Sequence, residues 1–438
     1  MKNLWLSLLI FNNFLFALNF EESRHLLNRT GFGATYQEIK SLAGLSKNLA
    51  VSLILSGIRT EPVLMLPDWK DKTRNDPDFK ALDQKEQNQL RKQWAHELKE
   101  WWAGEILVTN SPLTEKMVLF WHDHFATALQ KVRWPQLMLR QNMTFRKNAL
   151  GSFETLLNSM IHDSALLFYL DAQQSKKQAP NENLARELME LFTMGIGNYT
   201  EQDVRELARA LTGLRIDKDT GAVDFKPGAH DARQKEILGT KKRFRPAEVA
   251  NFLVSRKETQ KRMVGKLWKL MIDLPLPPVK EQELMKIMVQ NNHHIKPVLE
   301  AILLSEEFWD PKNRGSRIKA PVDHILGFLR TIEYLPDELQ PVVQALRRSG
   351  QDLFDPPSVK GWDEGNLWLN TASMQQRIQI QNRFLRGMDV LPSLQKVESM
   401  AGSDLVKLLL PLQATSKIRG STTDKFRQLL QEPAFQLY

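Results

Sequence analysis

Three polar residues, His122, Asp123 and His124, interrupt an apolar run in the first third of the chain. The rest of the run, from Met117 to Phe125, is apolar almost all round, which predicts a helix buried on most of its faces. Polar groups buried there need hydrogen-bond partners or a bound ion, so we predict His122 and His124 as metal ligands. On a helix, residues two apart point in different directions, so both can bind one metal only if the helix ends or distorts here. The alternative is a pair of core histidines bonded to backbone and carboxylate groups.

Two carboxylates form the next set of candidates, in the predicted helix from Asn181 to Met194. Glu187 falls on the apolar stripe of this helix, and Glu190 borders the stripe. A buried carboxylate demands a cation, a metal or a proton. We therefore predict both as catalytic residues, with Glu190 as general base. The alternative is an ion pair of Glu187 with Arg186 or Arg209.

His230 and Asp231 lie in a predicted loop, where functional residues concentrate. We predict both as further metal ligands, whereas a turn or cap is the alternative for Asp231. Such mixed nitrogen and oxygen ligands suit Zn, Mn or Fe, and the metal would activate water. Arg209 completes the predicted catalytic set. We expect Arg209, Glu187 and one of the two helical histidines to converge in one network, with the His230 loop closing over it.

The elements that must position these residues are mostly helices, because apolar residues recur at helical spacing along most of the chain. Thr35 and Thr200 each begin a capping-box pattern that predicts a helix start. The segments 215–217 and 223–225 flank Asp219-Thr220-Gly221, which predicts a β-hairpin. The predicted fold class is therefore mainly α: a large irregular multi-helix domain with one small β-hairpin insertion.

The predicted organisation has four segments. They are a signal peptide at 1–17, an N-terminal helical part with the candidate site at 18–213, a β-hairpin and loop at 214–245, and a C-terminal helical part of the same domain at 246–438. The signal peptide follows from Lys2, the apolar stretch behind it and Ala17 as an imperfect cleavage site. It predicts export to the periplasm or the medium, and an uncleaved anchor is the alternative. No later apolar run reaches membrane-spanning length.

Composition narrows the function classes. The chain has 438 residues, a net charge of +9 and no cysteine, which excludes disulfides, thiolate metal sites and a cysteine nucleophile. The spread of positive charge suits an anionic glycan or a lipid headgroup. No nucleic-acid-binding motif accompanies it, and we expect no nucleic-acid partner. The absence of a P-loop and of a GxSxG elbow disfavours a nucleotide enzyme and a standard serine hydrolase.

Several long motifs follow one another along the chain. They are Phe120-Trp121-His122-Asp123-His124-Phe125-Ala126-Thr127, the run from Pro180 to Phe192, the run from Ala208 to Gly213, His230-Asp231 and Val359-Lys360-Gly361-Trp362. With these motifs in this order, the chain resembles the bacterial family catalogued as domain of unknown function 1800 over nearly all of its length after the signal segment. The resemblance implies an exported, helix-rich protein, often encoded beside exported proteins of the sulfatase and alkaline phosphatase class, and no established reaction. Leu214 departs from the pattern, because relatives often have Trp at this place.

Two functions follow from these observations. The first is a metal-assisted hydrolase of the cell envelope that acts on an anionic or glycan-like substrate. The second is a non-catalytic scaffold or partner of a co-exported protein of the sulfatase or alkaline phosphatase class, in which the polar cluster only holds buried helices together. Trp362 and Trp368 add a predicted sugar-stacking platform, for which packing under a long loop is the alternative.

Overall fold

Helices make up most of the protein. The computed structural model describes residues 17–217, 219–386 and 388–438, so the predicted signal peptide lies, apart from Ala17, outside the described residues. The helices before the strands are α1 (Phe20–Thr30), α2 (Tyr36–Leu42), α3 (Lys47–Ser56), α4 (Pro77–Ala81), α5 (Gln84–Val108), α6 (Pro112–His124), α7 (Leu129–Val132), α8 (Pro135–Lys147), α9 (Phe153–Ile161), α10 (Ser164–Tyr169), α11 (Glu182–Glu187) and α12 (Glu201–Ala210).

A second series of helices follows the strands. These helices are α13 (Pro246–Val254), α14 (Lys257–Met271), α15 (Pro278–Gln290), α16 (Ile295–Leu304), α17 (Glu306–Trp309), α18 (Pro321–Thr331), α19 (Gln340–Arg348), α20 (Thr371–Arg386), α21 (Leu391–Ala401), α22 (Leu405–Leu409) and α23 (Thr422–Gln431). Short 3-10 turns lie at Asp68–Asp71, Ala172–Gln174, Pro227–Ala229, Pro311–Asn313, Gly365–Trp368, Met388–Val390, Gly402–Asp404 and Pro433–Gln436.

Two small antiparallel hairpins lie between the two series. Strands β1 (Leu214–Ile216) and β2 (Val223–Phe225) form the predicted hairpin, with Leu214 opposite Phe225. Strands β3 (Lys235–Ile237) and β4 (Thr240–Lys242) form a second hairpin in a segment that we predicted as loop. Its two-residue turn, Leu238-Gly239, has positive φ at both residues, 50° and 74°, and leucine at the first position hides this turn from sequence patterns. The prediction of a mainly α fold is confirmed.

Sequence patterns predicted where two helices begin, but they did not predict where the helix at Asn181 ends. Thr35 and Thr200 form the predicted capping boxes. The predicted helix from Asn181 to Met194 is shorter: α11 passes into a π-helical turn, Leu188–Phe192. Such wide turns often occur at functional sites, and this one brings the end of α11 to the site described below.

One hydrophobic core extends through both helix series. Helix α5 packs against α18, α3 against α16 and α9 against α13. Helices from before and after the hairpins are therefore direct neighbours throughout the molecule. Within the described ranges, no helix combines the length and the apolar character needed to cross a bilayer.

A buried ion pair joins α6 to α8 inside this core. Arg146 donates from both terminal nitrogens to the Glu115 carboxylate, one bond being 2.7 Å long, and the Trp102 indole donates to the same group at 3.0 Å. Both charged side chains are at most 1% exposed. Burial raises the pKa of Glu115, while Arg146 acts in the opposite direction. The pair thus needs both of its members to remain satisfied.

We predict that Arg146→Met lowers the free energy of unfolding by about 3–5 kcal/mol, because it leaves Glu115 buried without its cation. The control is Lys147→Met, the exposed next residue of α8, which should change stability by no more than about 0.5 kcal/mol. Urea unfolding followed by circular dichroism measures both. Equal effects of the two substitutions would contradict the role given to the pair.

Candidate functional site

The His124 imidazole connects three helical segments. Its Nε2 lies 3.0 Å from the carbonyl oxygen of Phe192, at the end of the π-helical turn, and its Nδ1 lies 2.9 Å from Nζ of Lys266 on α14. A carbonyl oxygen only accepts, so Nε2 carries the proton and Nδ1 accepts from the ammonium group. The contact therefore pairs a neutral histidine with a lysine 142 residues further along the chain.

Burial shifts the titration of both partners. It lowers the pKa of His124 well below its ordinary value, and the positive charges of Lys266 and Arg262 lower it further. Burial also lowers the pKa of Lys266 to about 8; Arg262 adds to this effect and Asp123 opposes it. Among the described residues, no carboxylate lies within 4.0 Å of the Lys266 ammonium. Lys266 is thus a partly buried amine that can change its charge near neutral pH.

Asp123, beside His124 at the end of α6, fixes the loop that closes the site. Its Oδ1 accepts the backbone N–H of Trp362 at 2.8 Å. A Cβ atom at Gly361 would lie 2.2 Å from the same oxygen, and Gly361 has a φ of +92°, so only glycine fits this close approach. Burial raises the pKa of Asp123 to about 6. Its second carboxylate oxygen accepts no hydrogen bond within the described chain.

A pocket of about 180 Å³ opens between these residues, and we call it the Trp362 pocket. Two of its cations are neutralised: Lys116 pairs with Asp323 at 2.7 Å, and Lys269 pairs with Glu364. Arg317 has no carboxylate within 4.0 Å among the described residues, and it donates to backbone oxygens at the end of α14. Besides these residues, Asp123, His124, Lys266, Asp273, Trp362, Asp363 and Trp368 line the pocket.

His122 points away from this pocket into an aromatic environment. Its ring lies 5.4 Å from Trp362, 5.5 Å from Phe354 and 5.7 Å from Trp102, measured between ring centroids. Burial lowers its pKa to about 3. Helix α6 ends only after His124, so both histidines lie on helical backbone and point in different directions. Of the two, only His124 belongs to the pocket.

Glu187 and Glu190 form a separate group. Glu190 accepts a hydrogen bond from the Tyr199 hydroxyl at 2.6 Å. Glu187 is half-buried rather than buried, and burial and the charge of Glu190 raise its pKa. The π-helical turn over Leu188–Phe192 interrupts the helical count after Glu187, and Leu191, one of the residues that placed Glu187 on the stripe, is itself only half-buried. The predicted ion pair of Glu187 with Arg186 or Arg209 is also absent among the described residues.

Arg209, His230 and Asp231 form a third group near the hairpins. Nε of Arg209 donates to Asp231 at 2.8 Å, and Arg233 pairs with the same carboxylate. Arg233 and, after it, Arg209 hold the pKa of Asp231 far below its usual range. His230 contacts the carbonyl oxygen of Thr212 at 2.9 Å. The Asp231 carboxylate is therefore the shared acceptor of two arginine ion pairs.

The predicted single network is accordingly divided into three. Glu187 forms no hydrogen bond to His124 and does not line the Trp362 pocket. Within the described part of the chain, no three histidine or carboxylate side chains are grouped so that they could hold a metal ion. The four predicted ligands, His122, His124, His230 and Asp231, thus do not form one metal site in this structure.

Sequence reasoning missed Lys266 and Arg317. Lys266 is one of four lysines in α14, and no local pattern distinguishes it from the others. Its role depends on His124 and Asp123, which are distant in sequence. Trp362 and Trp368 were recognised from the sequence, and both line the pocket as buried side chains.

We predict that the Lys266 amine titrates near pH 8 in the folded protein. Competitive acetylation between pH 6 and 11, read by peptide mass spectrometry, should give this midpoint for Lys266, and about 10.4 in urea-unfolded protein. Asp123→Asn should lower the midpoint further, because the Asp123 charge raises it. One common midpoint for folded and unfolded protein would refute the assignment.

Comparison with known proteins identifies the family. The family model described as "Protein of unknown function (DUF1800)" matches residues 25–436. Neither the curated proteins nor the solved structures give a match. The matched range includes Asp123, His124 and Trp362, which line the Trp362 pocket. The chain therefore belongs to the DUF1800 family of proteins of unknown function.

Proposed function

We propose that this protein is a hydrolase-type enzyme of the bacterial envelope, and that the Trp362 pocket is its active site. The observation that carries the proposal is the Lys266 amine, which lies in a pocket beside a neutral histidine and has a pKa lowered to about 8. Titratable groups that burial shifts in this way concentrate at functional sites. In this pocket Lys266 and Asp123 take the catalytic roles that the sequence analysis had given to Glu187, Glu190, Arg209 and a bound metal.

Asp123 and Lys266 have complementary protonation states near pH 7. Asp123, with its pKa raised to about 6, is mostly ionised and acts as general base; Lys266, with its pKa lowered to about 8, is mostly protonated and acts as general acid. Asp123 removes a proton from the attacking water as its oxygen bonds to the substrate. Lys266 protonates the oxygen that leaves as the ester or glycosidic bond breaks.

The pocket's charge and its aromatic walls support an anionic, glycan-like substrate. Arg317 and Lys266 are its cations without a carboxylate within 4.0 Å in the described chain, so an anionic group can bind them without displacing an ion pair. Trp362 and Trp368 supply apolar walls, against which sugar rings can pack. The volume of about 180 Å³ suits one small group of a larger molecule.

We expect hydrolysis of an anionic polysaccharide to follow a bell-shaped pH profile with its maximum near pH 7. Activity falls below about pH 6, where Asp123 is protonated, and above about pH 8, where Lys266 is neutral. A panel of uronic-acid, sulfated and phosphorylated polysaccharides is incubated with the protein. New reducing ends report glycosidic cleavage, and proton release in a pH-stat reports ester cleavage.

Matched variants make this test specific. Asp123→Asn and Lys266→Met should each lower kcat by about 10²–10⁴-fold, and Lys266→Met should also remove the alkaline limb of the profile. Lys261→Met, an exposed lysine on the same helix, should retain activity. Melting temperatures identify any variant that fails to fold. No product from any polysaccharide, or full activity in Lys266→Met, would overturn the proposal.

A second proposed function is non-catalytic binding of a co-exported protein of the sulfatase or alkaline phosphatase class. Leu49 and Leu53 favour it, because they lie one turn apart on α3 and are 47% and 48% exposed. Stable capture of such a partner, together with no turnover in the assay above, would favour this function over catalysis.

Export remains a proposal that both functions share. We expect cleavage at or near Ala17, because Lys2 and the apolar stretch behind it have the character of a secretory signal. Mass spectrometry of the N-terminus, in an envelope fraction and in cytosol, checks this. Intact chain confined to the cytosol would refute both the cleavage and the proposed location.

A further inference from the structure

A groove lined by arginines lies apart from the Trp362 pocket and shares no lining residue with it. Its volume is about 470 Å³, and we call it the arginine groove. Arg74, Arg91, Lys131 and Arg133 supply four cations. No carboxylate of the described chain belongs to its lining. The groove therefore combines four cationic side chains with aromatic and apolar ones, and no carboxylate of the described chain lines it.

The three guanidinium groups lack acidic partners. Lys131 pairs with Asp171 at 2.8 Å, but no carboxylate of the described residues lies within 4.0 Å of Arg74, Arg91 or Arg133. Burial lowers the pKa of Arg74 and of Arg91, and the neighbouring guanidinium lowers each further, Arg91 acting on Arg74 and Arg133 acting on Arg91. Like charges held this close repel one another, and a bound anion would relieve the repulsion.

Aromatic rings hold two of these cations in place. Arg74 lies over the rings of Trp134 and Phe168, at 4.7 and 5.2 Å from their centroids. Arg91 lies over Trp134 and Phe79, at 5.4 and 5.6 Å. A guanidinium that is positioned by ring faces retains its N–H groups for an oxyanion. The Arg74 side chain donates none of them within the described chain, and Arg91 donates from one terminal nitrogen to the side-chain oxygen of Asn88.

The backbone of Arg133 supports a binding role for its side chain. Arg133 ends α7 with φ 60° and ψ 12°, the left-handed conformation that glycine adopts without cost. An arginine at this position is exposed and accepts local strain. Its side chain thus brings a third cation to the groove at a place where the fold alone would favour glycine.

We propose that the arginine groove binds a small water-soluble molecule that carries two or more phosphate or sulfate ester groups. Guanidinium groups bind such tetrahedral oxyanions through paired N–H donors, and a groove of about 470 Å³ with three of them has room for more than one such group. This site is independent of the proposed active site, and its test does not depend on catalysis.

Two other classes of anion fit the groove less well. Single-stranded nucleic acid binds by stacking bases on aromatic faces, whereas Trp134 is only 5% exposed and is covered by Arg74 and Arg91. Membrane binding usually adds apolar side chains that enter the lipid, and none of the exposed large apolar residues of the described chain lines the groove. Both classes serve as arms of the test.

Isothermal titration calorimetry of the full chain, in about 0.15 M salt, tests the proposal. The probes are inositol hexakisphosphate and a trisulfated disaccharide, with inositol and an uncharged disaccharide as their neutral counterparts. Vesicles of phosphatidylcholine and phosphatidylserine, and a single-stranded oligothymidine, are the arms for a membrane and for nucleic acid. We expect saturable one-to-one binding of at least one charged probe, weaker at higher salt, and no binding of the neutral molecules. The phosphate and sulfate arms distinguish the two possible sources of the ester group.

Substitutions connect the binding to the groove. Arg74→Gln, Arg91→Gln and Arg133→Gly should each weaken it about tenfold or more, and Arg133→Gly should leave the melting temperature unchanged or raised. The control is Arg243→Gln, an exposed arginine outside the groove, which should bind as the wild type does. Equal loss in the control, binding only of anionic vesicles or of single-stranded DNA, or binding of neither charged probe would overturn the proposal.

Discussion

The hydrogen bond from the Trp362 backbone to the Asp123 carboxylate is the constraint on which the site depends. It joins the end of α6 to a loop 239 residues further along the chain. The close approach leaves no room for a side chain at Gly361. The Trp362 ring then lies against His122 on one side and lines the pocket on the other. Two separate sequence motifs of the family therefore form one structural unit.

The buried charged residues on and beside helix α6 differ in whether they have a partner of opposite charge. Glu115 and Lys116 lie near its start, and each has a close partner of opposite charge, Arg146 and Asp323 respectively. Lys266, which meets the far end of α6, has a neutral histidine as its close partner. A fully paired charge contributes to the architecture, whereas a buried amine without a carboxylate partner retains a proton that it can exchange.

The two candidate sites use positive charge in different ways. In the Trp362 pocket, both cations and carboxylates line the wall, and burial brings the pKa values of Asp123 and Lys266 close to neutral pH. No carboxylate of the described chain lines the arginine groove, and aromatic faces hold the guanidinium groups of Arg74 and Arg91. The first arrangement suits proton transfer, and the second suits binding of a fixed anion.

Interactions between residues close together in the sequence determine several of the helix starts and one hairpin. These features could therefore be predicted from the sequence alone. Capping residues placed the helix starts at Thr35 and Thr200, and a turn pattern placed the hairpin of β1 and β2, because these signals act over a few residues. The π-helical turn at 188–192 and the second hairpin lack such a signal. The regular helical count consequently holds only as far as Glu187 and fails over the π-helical turn that follows it.

The sequence by itself also determined the family and which motifs carry polar residues inside apolar helices. Tertiary structure alone decided that His124 enters the pocket while His122 enters an aromatic environment, and that Lys266 and Arg317 are the cations beside it. Helical periodicity tells which residues share a face, but not which distant segment that face will meet. The environment that shifts the pKa of Lys266 is made by residues more than a hundred positions away along the chain, and the packing of the whole chain brings them together.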